Sequence, residues 1–192
     1  QSLATDQKNL YIGMKDEVGC YSFATSDYQV ISHPEFFYIS TLMLDSSENT
    51  LWIGNARHLH RMNLDTKEIE RVRDFYVVKS IAKDDNNLLI GTDNGLYVCD
   101  RQGTWHLISH DARNSQSLSS NVVNMFFKDA NGNIWIGTDN GISLATHNPS
   151  VQSRSLFDIT GSDEGCQISS IQRTADSTLW LGGSRGLIKL KT

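Results

Sequence analysis

The sequence predicts an all-β fold made of about five four-stranded antiparallel units. The main evidence is a tetrapeptide that recurs five times in 192 residues, as LYIG, LWIG, LLIG, IWIG and LWLG. Its last positions are Gly13, Gly54, Gly91, Gly137 and Gly182. A second observation is that turn-forming residues flank each copy, such as Asn131-Gly132 before one of them. This near-constant spacing is typical of an array of repeated structural units.

Each unit reads as a meander of short strands. The first strand is predicted in the alternating apolar segments upstream of four tetrapeptides, at residues 39–45, 78–84, 123–129 and 168–174. The tetrapeptide is the second strand. The next turn ends in a glycine suited to a left-handed conformation, as in Asp93-Asn94-Gly95 and Asp139-Asn140-Gly141. His58 replaces that glycine in the second unit, so we expect a differently built turn there.

The second strand indicates how the units pack. It is apolar at consecutive positions, which is typical of a strand buried on both faces. Small four-stranded sheets that stack face to face in this way are the blades of a β-propeller. We therefore predict a structural core built from tryptophans at the second position of the tetrapeptide and glycines at its fourth position. These residues are Trp52, Trp135, Trp180, Gly54, Gly91, Gly137 and Gly182.

The predicted organisation is a single partial propeller of about five blades. The blades are expected at residues 1–36, 37–76, 77–116, 117–163 and 164–192, with the first strand of the first blade truncated and the last strand of the fifth missing. Such a segment exposes strand edges. The expected partners are therefore the missing blades of a longer parent protein, or a second copy bound through those edges.

Composition excludes several classes of function. The formal net charge of −5 argues against a nucleic-acid-binding protein, which needs a basic surface. No segment approaches the roughly 20 apolar residues that cross a bilayer, so direct membrane insertion is not expected. The three cysteines, Cys20, Cys99 and Cys166, have no metal-binding spacing. They are interpreted as small buried hydrophobic residues, with a disulfide or a reactive thiol as the alternatives.

The sequence contains no recognisable catalytic constellation. His58 and His60 share a strand face and could approach one metal ion, but no further ligands lie beside them in the sequence. The segment Asp129-x-Asn131-x-Asn133 lacks the glycine and glutamate of a calcium loop and also suits a hairpin turn. We therefore predict a protein that is not an enzyme and has neither a metal site nor a cofactor.

The turns and connections at one end of the predicted blades remain as a binding surface. Loops on a rigid scaffold commonly carry recognition. Aromatic rings beside polar groups suit an oligosaccharide, and arginines would favour an acidic one. The predicted ligand-binding residues are Tyr38, Arg57, Tyr76, Asp93, Asn121, Asp139 and Arg185.

Residues 118–141 also resemble a known family. The opening LSSN at residues 118–121 and the run DANGNIWIGT at residues 129–138 resemble the two-component regulator propeller repeat, with Ile142 where that family usually has leucine. Residues 84–96 and 177–187 are similar to its second half. The resemblance extends more weakly to the other units.

The resemblance implies a role in signal transduction. Repeats of this family form the periplasmic sensor regions of hybrid two-component systems in Bacteroidetes, whose usual stimulus is an oligosaccharide. This implies a non-catalytic segment that perceives or relays carbohydrate binding to a histidine kinase outside this chain. The alternative is a scaffold for protein–protein interaction or dimerisation that has no small ligand.

Overall fold

The fold was analysed in a computed structural model, which describes residues 2–84, 87–114, 116–145, 151–161, 166–174 and 178–191. The predicted boundary between the fourth and fifth blades, at residues 163 and 164, lies outside these residues. The described part of the chain contains nineteen strands and one short helix. The prediction of an all-β fold of antiparallel meanders is therefore confirmed, although the helix was not expected.

The strands form five sheets in chain order. Sheet 1 consists of β1 (Ser2–Thr5), β2 (Asn9–Gly13), β3 (Glu17–Ser22) and β4 (Tyr28–Ser32). Sheet 2 consists of β5 (Thr41–Asp45), β6 (Thr50–Gly54), β7 (His58–Asn63) and β8 (Ile69–Asp74). Sheet 3 consists of β9 (Val78–Lys83), β10 (Leu88–Thr92), β11 (Gly95–Cys99) and β12 (Trp105–Ile108).

The last two sheets follow the same order. Sheet 4 consists of β13 (Val123–Lys128), β14 (Ile134–Thr138), β15 (Gly141–Ala145) and β16 (Val151–Arg154). The helix α1 (Leu156–Thr160) comes next. Sheet 5 has three described strands, β17 (Ile168–Arg173), β18 (Thr178–Gly183) and β19 (Gly186–Lys191).

Each tetrapeptide forms the second strand of a sheet, as predicted. All residues of β6, β10 and β14 are buried. The turn that follows β10 ends at Gly95, whose φ is 114°, and the turn after β14 ends at Gly141, whose φ is 116°. These are left-handed conformations that glycine adopts without steric cost. The sequence therefore specifies both the buried strand and the turn that follows it.

The chain divides into two compact units, residues 1–81 and residues 82–192. In the first unit, β1 and β2 pack against β5. Its core contains fully buried side chains from both sheets, including Tyr11, Leu51, Ile53 and Met62. A connection between the two sheets contributes Phe36 and Ile39 to the same core.

The second unit contains two apolar clusters. One surrounds Leu89, Leu118 and Ile136, and the other surrounds Trp135, Leu179 and Leu181. In the second cluster β13 and β14 pack against β17. Consecutive sheets of this unit thus bury their apolar faces against each other, which is the packing expected of neighbouring blades.

The three repeated tryptophans are not equally buried. Trp52 and Trp135 are each 8% exposed and are thus buried. Trp180 is only partly buried, and Lys189 Nζ lies 5.2 Å from the centroid of its ring. The core role of Trp180 stays a prediction.

Candidate functional site

The connection between β4 and β5 carries two exposed aromatic side chains. Phe37 is 43% exposed and Tyr38 is 53% exposed. Their ring centroids are 4.7 Å apart and their planes are nearly perpendicular, at 89°. An edge-to-face pair of this kind is stabilising, but it leaves ring faces open to solvent or a ligand. The position of these rings makes the connection the centre of a candidate binding surface.

Two cations lie beside these rings. Arg57 Cζ is 5.3 Å from the Phe37 centroid, and Lys15 Nζ is 5.1 Å from the Tyr38 centroid. Both distances are within the range of a cation–π interaction. Arg57 and Lys15 come from the turns that follow β6 and β2, so these turns meet at the connection between the two sheets.

Backbone hydrogen bonds hold the surrounding segments together. Ala56 N–H donates to the Phe37 carbonyl at 3.2 Å, and Phe75 N–H donates to the Arg57 carbonyl at 2.8 Å. Tyr76 follows Phe75 and is 82% exposed. We call Lys15, Phe37, Tyr38, Arg57, Phe75 and Tyr76 the aromatic loop cluster.

Tyr38 has an unusual backbone conformation. Its φ is 50°, in a region that bulky side chains rarely adopt. Its N–H lies 3.4 Å from Asp16 Oδ1, to which it donates, and Ile39 N–H donates to the Lys15 carbonyl at 3.0 Å. These bonds tie the connection to sheet 1 on both sides of the Tyr38 side chain.

The turn that presents Arg57 is built by Asn55. Asn55 Oδ1 accepts hydrogen bonds from Arg57 N–H at 2.8 Å and from His58 N–H at 2.7 Å. Its Nδ2 donates to the Glu35 carbonyl at 3.0 Å. The expectation of a differently built turn in this unit is met, because an asparagine side chain satisfies the backbone groups that a glycine turn arranges elsewhere.

The structure brings together only some of the predicted ligand-binding residues. Tyr38 and Arg57 both lie against the Phe37 ring in the first unit, and Tyr76 follows Phe75, whose N–H donates to the Arg57 carbonyl. The other four, Asp93, Asn121, Asp139 and Arg185, belong to the second unit. Their direct contact with a ligand stays a prediction.

Asn121 and Asp139, two of those four, accept hydrogen bonds within the second unit. Asn121 Oδ1 accepts a hydrogen bond from His110 N–H at 2.7 Å, and the Asn121 carbonyl accepts one from Gly95 N–H at 2.7 Å. Asp139 Oδ1 accepts a hydrogen bond from Asn124 Nδ2 at 2.7 Å. Arg185 is exposed and Asp93 is partly buried. Asn121 thus organises its loop, whichever other role it has.

A polar cluster that the sequence analysis missed lies next to the aromatic loop cluster. His60 is fully buried, and its Nε2 lies 3.2 Å from Glu35 Oε2. The ring of His33 has its centroid 5.4 Å from that of His60. Glu35 and His33 are 25 or more residues away in the sequence, so inspection of the neighbourhood of His58 and His60 could not find them.

In this cluster, His60 and Glu35 each influence the pKa of the other. Burial lowers the pKa of His60, and the hydrogen bond with the Glu35 carboxylate only partly opposes this effect. The hydrogen bond with His60 lowers the pKa of Glu35, and the nearby charge of Arg71 acts in the same direction, although desolvation opposes both. The cluster therefore favours a neutral imidazole beside an ionised carboxylate.

Residues 117–140 match the family model described as "Two component regulator propeller". The match covers β13, β14 and the segment before them. Leu118 in that segment and Ile136 in β14 are both buried. This chain contains a two-component regulator propeller repeat. The resemblance stated from the sequence is thus confirmed for this segment. None of the curated proteins matches the sequence.

Solved structures extend the similarity beyond that repeat. The chain is similar to the extracellular domain of BT4673 of B. thetaiotaomicron, a protein assigned to the one-component or hybrid two-component systems. One structure of that domain shares 34% sequence identity with this chain, with a TM-score of 0.70, over 99% of this chain and 27% of that one. The chain therefore spans about a quarter of the length of this relative.

A more distant structure supports the fold alone. The extracellular domain of BT3049 of B. thetaiotaomicron, assigned to a hybrid two-component system, has 21% identity and a TM-score of 0.79. The match covers 98% of this chain and 26% of that one. In the described residues, no helix has the length and apolar character needed to span a bilayer.

Proposed function

We propose that this propeller-repeat segment belongs to the extracellular, periplasmic sensor region of a hybrid two-component system and that its aromatic loop cluster contacts an oligosaccharide. The observation that carries the proposal is the exposed pair of rings of Phe37 and Tyr38, with Arg57 Cζ 5.3 Å from the Phe37 centroid and Lys15 Nζ 5.1 Å from the Tyr38 centroid. The repeat at residues 117–140 and the 34% identity to an extracellular domain support the sensory role.

The chemistry of the cluster suits a sugar. The apolar side of a pyranose ring packs against an aromatic face, while its hydroxyl groups need donors and acceptors at the edge. Arg57 is exposed and offers several N–H donors in one plane, which can bind a carboxylate or sulfate of an acidic sugar. Asp16, at the other side of Tyr38, offers acceptors for hydroxyl groups.

The five sheets are proposed to be the five predicted blades of one propeller segment. In that arrangement a ligand would act on a kinase outside this chain by binding one packing state of the region more tightly than another. The energy available for signalling is limited to this difference in affinity. No residue of this chain is assigned a catalytic role.

The test is oligosaccharide binding by the complete extracellular region of the parent protein. A glycan array with neutral and acidic oligosaccharides would identify a ligand, and calorimetry would measure its affinity. Tyr38→Ala, Arg57→Ala and Tyr76→Ala should each weaken binding by about tenfold or more, as expected for loss of a stacking or charged contact. Phe23→Ala, which removes an exposed aromatic side chain just after the end of β3, is the matched control and should leave the affinity unchanged.

A protein-interaction scaffold is the second candidate, because exposed aromatic side chains also suit a protein surface. Tyr76, at 82% exposure, is the most favourable observation for this alternative. If the complete region binds no oligosaccharide but its dimerisation is weakened by Tyr76→Ala, the scaffold is favoured. If binding occurs but all three variants retain full affinity, the site proposed on this chain is wrong while the sensory role stands.

A further inference from the structure

The side chains of His33, Glu35 and His60 converge in the first unit. One potential ligand atom from each lies within 4.8 Å of those from the other two. His60 comes from β7, whereas His33 and Glu35 come from the connection between β4 and β5. We propose that these three residues form a binding site for a divalent transition-metal ion such as Zn²⁺.

The donor set is appropriate for this class of ion. Two imidazoles and one carboxylate form a frequent three-residue ligand set for zinc, and a water molecule then completes the tetrahedron. The ligand atoms of such a site are about 3.4 Å apart, as follows from metal–ligand distances of about 2.0–2.1 Å. His60 Nε2 and Glu35 Oε2 are already 3.2 Å apart. Calcium and magnesium prefer sites made of oxygen ligands, so they fit less well.

The burial of His60 is an independent observation in favour of a metal ligand. Its side chain is fully buried, and its Nδ1 has no hydrogen-bonding partner in the described structure. The imidazole is therefore held by one polar contact, with Glu35, and otherwise by the rings of Phe36 and the neighbouring histidines. Burial fixes the orientation of the ring, so Nε2 stays directed at Glu35 for coordination, whereas Nδ1 is the other ring nitrogen and would not be satisfied by it.

Glu35 is positioned to give one oxygen to an ion. Arg71 Nη1 lies 3.3 Å from Glu35 Oε1, which leaves Oε2 on the side of His60. Arg71 is also 3.6 Å from Asp74, whose Oδ1 lies 3.0 Å from His58 Nδ1. Groups of this kind commonly orient metal ligands through hydrogen bonds and offset part of the local charge.

The backbone also fixes the connection that supplies two of the ligands. Glu35 accepts a hydrogen bond from Asn55 Nδ2 through its carbonyl, at 3.0 Å. Glu35 N–H donates to His33 Nδ1 at 3.3 Å, a long bond that an ion could replace. His33 and Glu35 are partly exposed, so an ion can reach the site from solvent.

The proposal is tested by calorimetric titration of the metal-free 192-residue chain with zinc chloride. One Zn²⁺ per chain is expected. His33→Ala and Glu35→Gln each remove one ligand at a partly exposed position and should weaken zinc binding by at least about tenfold. His106→Ala is the matched control, because His106 is an exposed histidine that also has a carboxylate partner, Asp100 at 3.2 Å. It should leave the affinity unchanged.

X-ray absorption spectroscopy of the zinc-loaded wild-type chain provides a second measurement that does not depend on the folding of any variant. Two imidazoles and oxygen ligands are expected. Absence of stoichiometric zinc binding would overturn the proposal. So would unchanged affinity in the folded His33→Ala and Glu35→Gln chains, or sulfur ligands, which would place the ion at the free cysteines Cys20, Cys99 or Cys166.

Discussion

Asp129 shows how one residue of the repeat stabilises both its own hairpin and the neighbouring sheet. Its side chain is buried and accepts hydrogen bonds from Asn131 N–H at 2.9 Å and from Trp135 Nε1–H at 3.1 Å. Arg173 Nη1, on β17, lies 2.9 Å from its Oδ2. The ionised carboxylate of Asp129 therefore accepts hydrogen bonds from a turn amide and from a core indole, and it also pairs with a cation.

An aspartate begins the first turn of other units as well. Asp6 Oδ1 accepts from Lys8 N–H at 2.7 Å and Asn9 N–H at 2.6 Å, and Asp45 Oδ1 accepts from Ser47 N–H at 3.0 Å. Side chains that bond to the backbone two residues ahead favour turns over continued strands. In sheet 2, however, Trp52 Nε1 has no partner in the described structure. The segment from Asp45 to Trp52 is one residue longer than that from Asp129 to Trp135.

Replacement of Asp129 by asparagine should lower stability. Asp129→Asn removes the charge that pairs with Arg173 and reduces the number of acceptors, so a loss of about 2–3 kcal/mol in the free energy of unfolding is expected. Urea denaturation at neutral pH measures this difference. Asp27→Asn, at an exposed carboxylate, is the control and should change stability by less than about 0.5 kcal/mol.

The same variant should show a characteristic pH dependence. Burial opposes ionisation of Asp129, but hydrogen bonds from Trp135 and Asn133 outweigh it and lower the pKa of the carboxyl group. A folded-state pKa below that of the unfolded chain gives stability that is present above about pH 4 and is lost as the pH falls through the folded value. The stability difference between wild type and Asp129→Asn should therefore shrink in acid. A difference that stays constant down to the acid transition would contradict this assignment.

At the scale of the strand, the glycines that end three of the tetrapeptides, Gly13, Gly54 and Gly137, leave space for residues beyond their own sheet. A Cβ atom at Gly13 would lie 3.1 Å from Ile39 Cγ2, and one at Gly137 would lie 3.0 Å from Ile168 Cγ2. Ile168 belongs to the sheet that follows that of Gly137. The repeated glycine is thus required by close packing between consecutive sheets, in addition to the turn nearby.

Gly137→Ala should destabilise the second unit. The added methyl group would lie 2.9 Å from Met125 Cγ as well as against Ile168, and overpacking of this kind costs about 1–3 kcal/mol. The change is measured by the midpoint of urea unfolding. Gly103→Asn is a suitable control, because no atom lies within 4 Å of a Cβ there and asparagine tolerates its φ of 80°. Equal effects of the two substitutions would show that close packing is not the reason for the glycine.

Most strands and turns of this fold could be predicted from residues that are neighbours in the sequence. The contact between His60 and Glu35 could not. Consecutive apolar residues and turn glycines lie within a few positions of each other, so the meanders and buried second strands were predictable. The contact of His60 with Glu35 depends on how a connection packs against a strand 25 residues later. The short helix α1 was also missed, because its few residues have no helical periodicity of useful length.

At the scale of the whole molecule, sheet 5 packs one face in the second unit and exposes apolar side chains on the other among the described residues. Leu179 and Leu181 of β18 are buried in the second unit. Trp180 points to the other face, and the register pairs it with Lys189 and pairs Gly182 with Leu187. Residues paired across two strands share a face, so Trp180, Lys189 and Leu187 lie together. Leu187 is 69% exposed, which explains why Trp180 is less buried than its counterparts in sheets 2 and 4.

This uncovered face should cause self-association of the 192-residue chain. An exposed apolar surface on the face of a sheet favours contact with a second copy. Sedimentation equilibrium should show an apparent mass that rises with concentration, and Leu187→Lys should shift the distribution toward monomer. Leu107→Lys, at an exposed leucine of β12, is the matched control and should not have this effect. A monomer at all concentrations would show that Lys189, lying over Trp180, protects the face sufficiently from association.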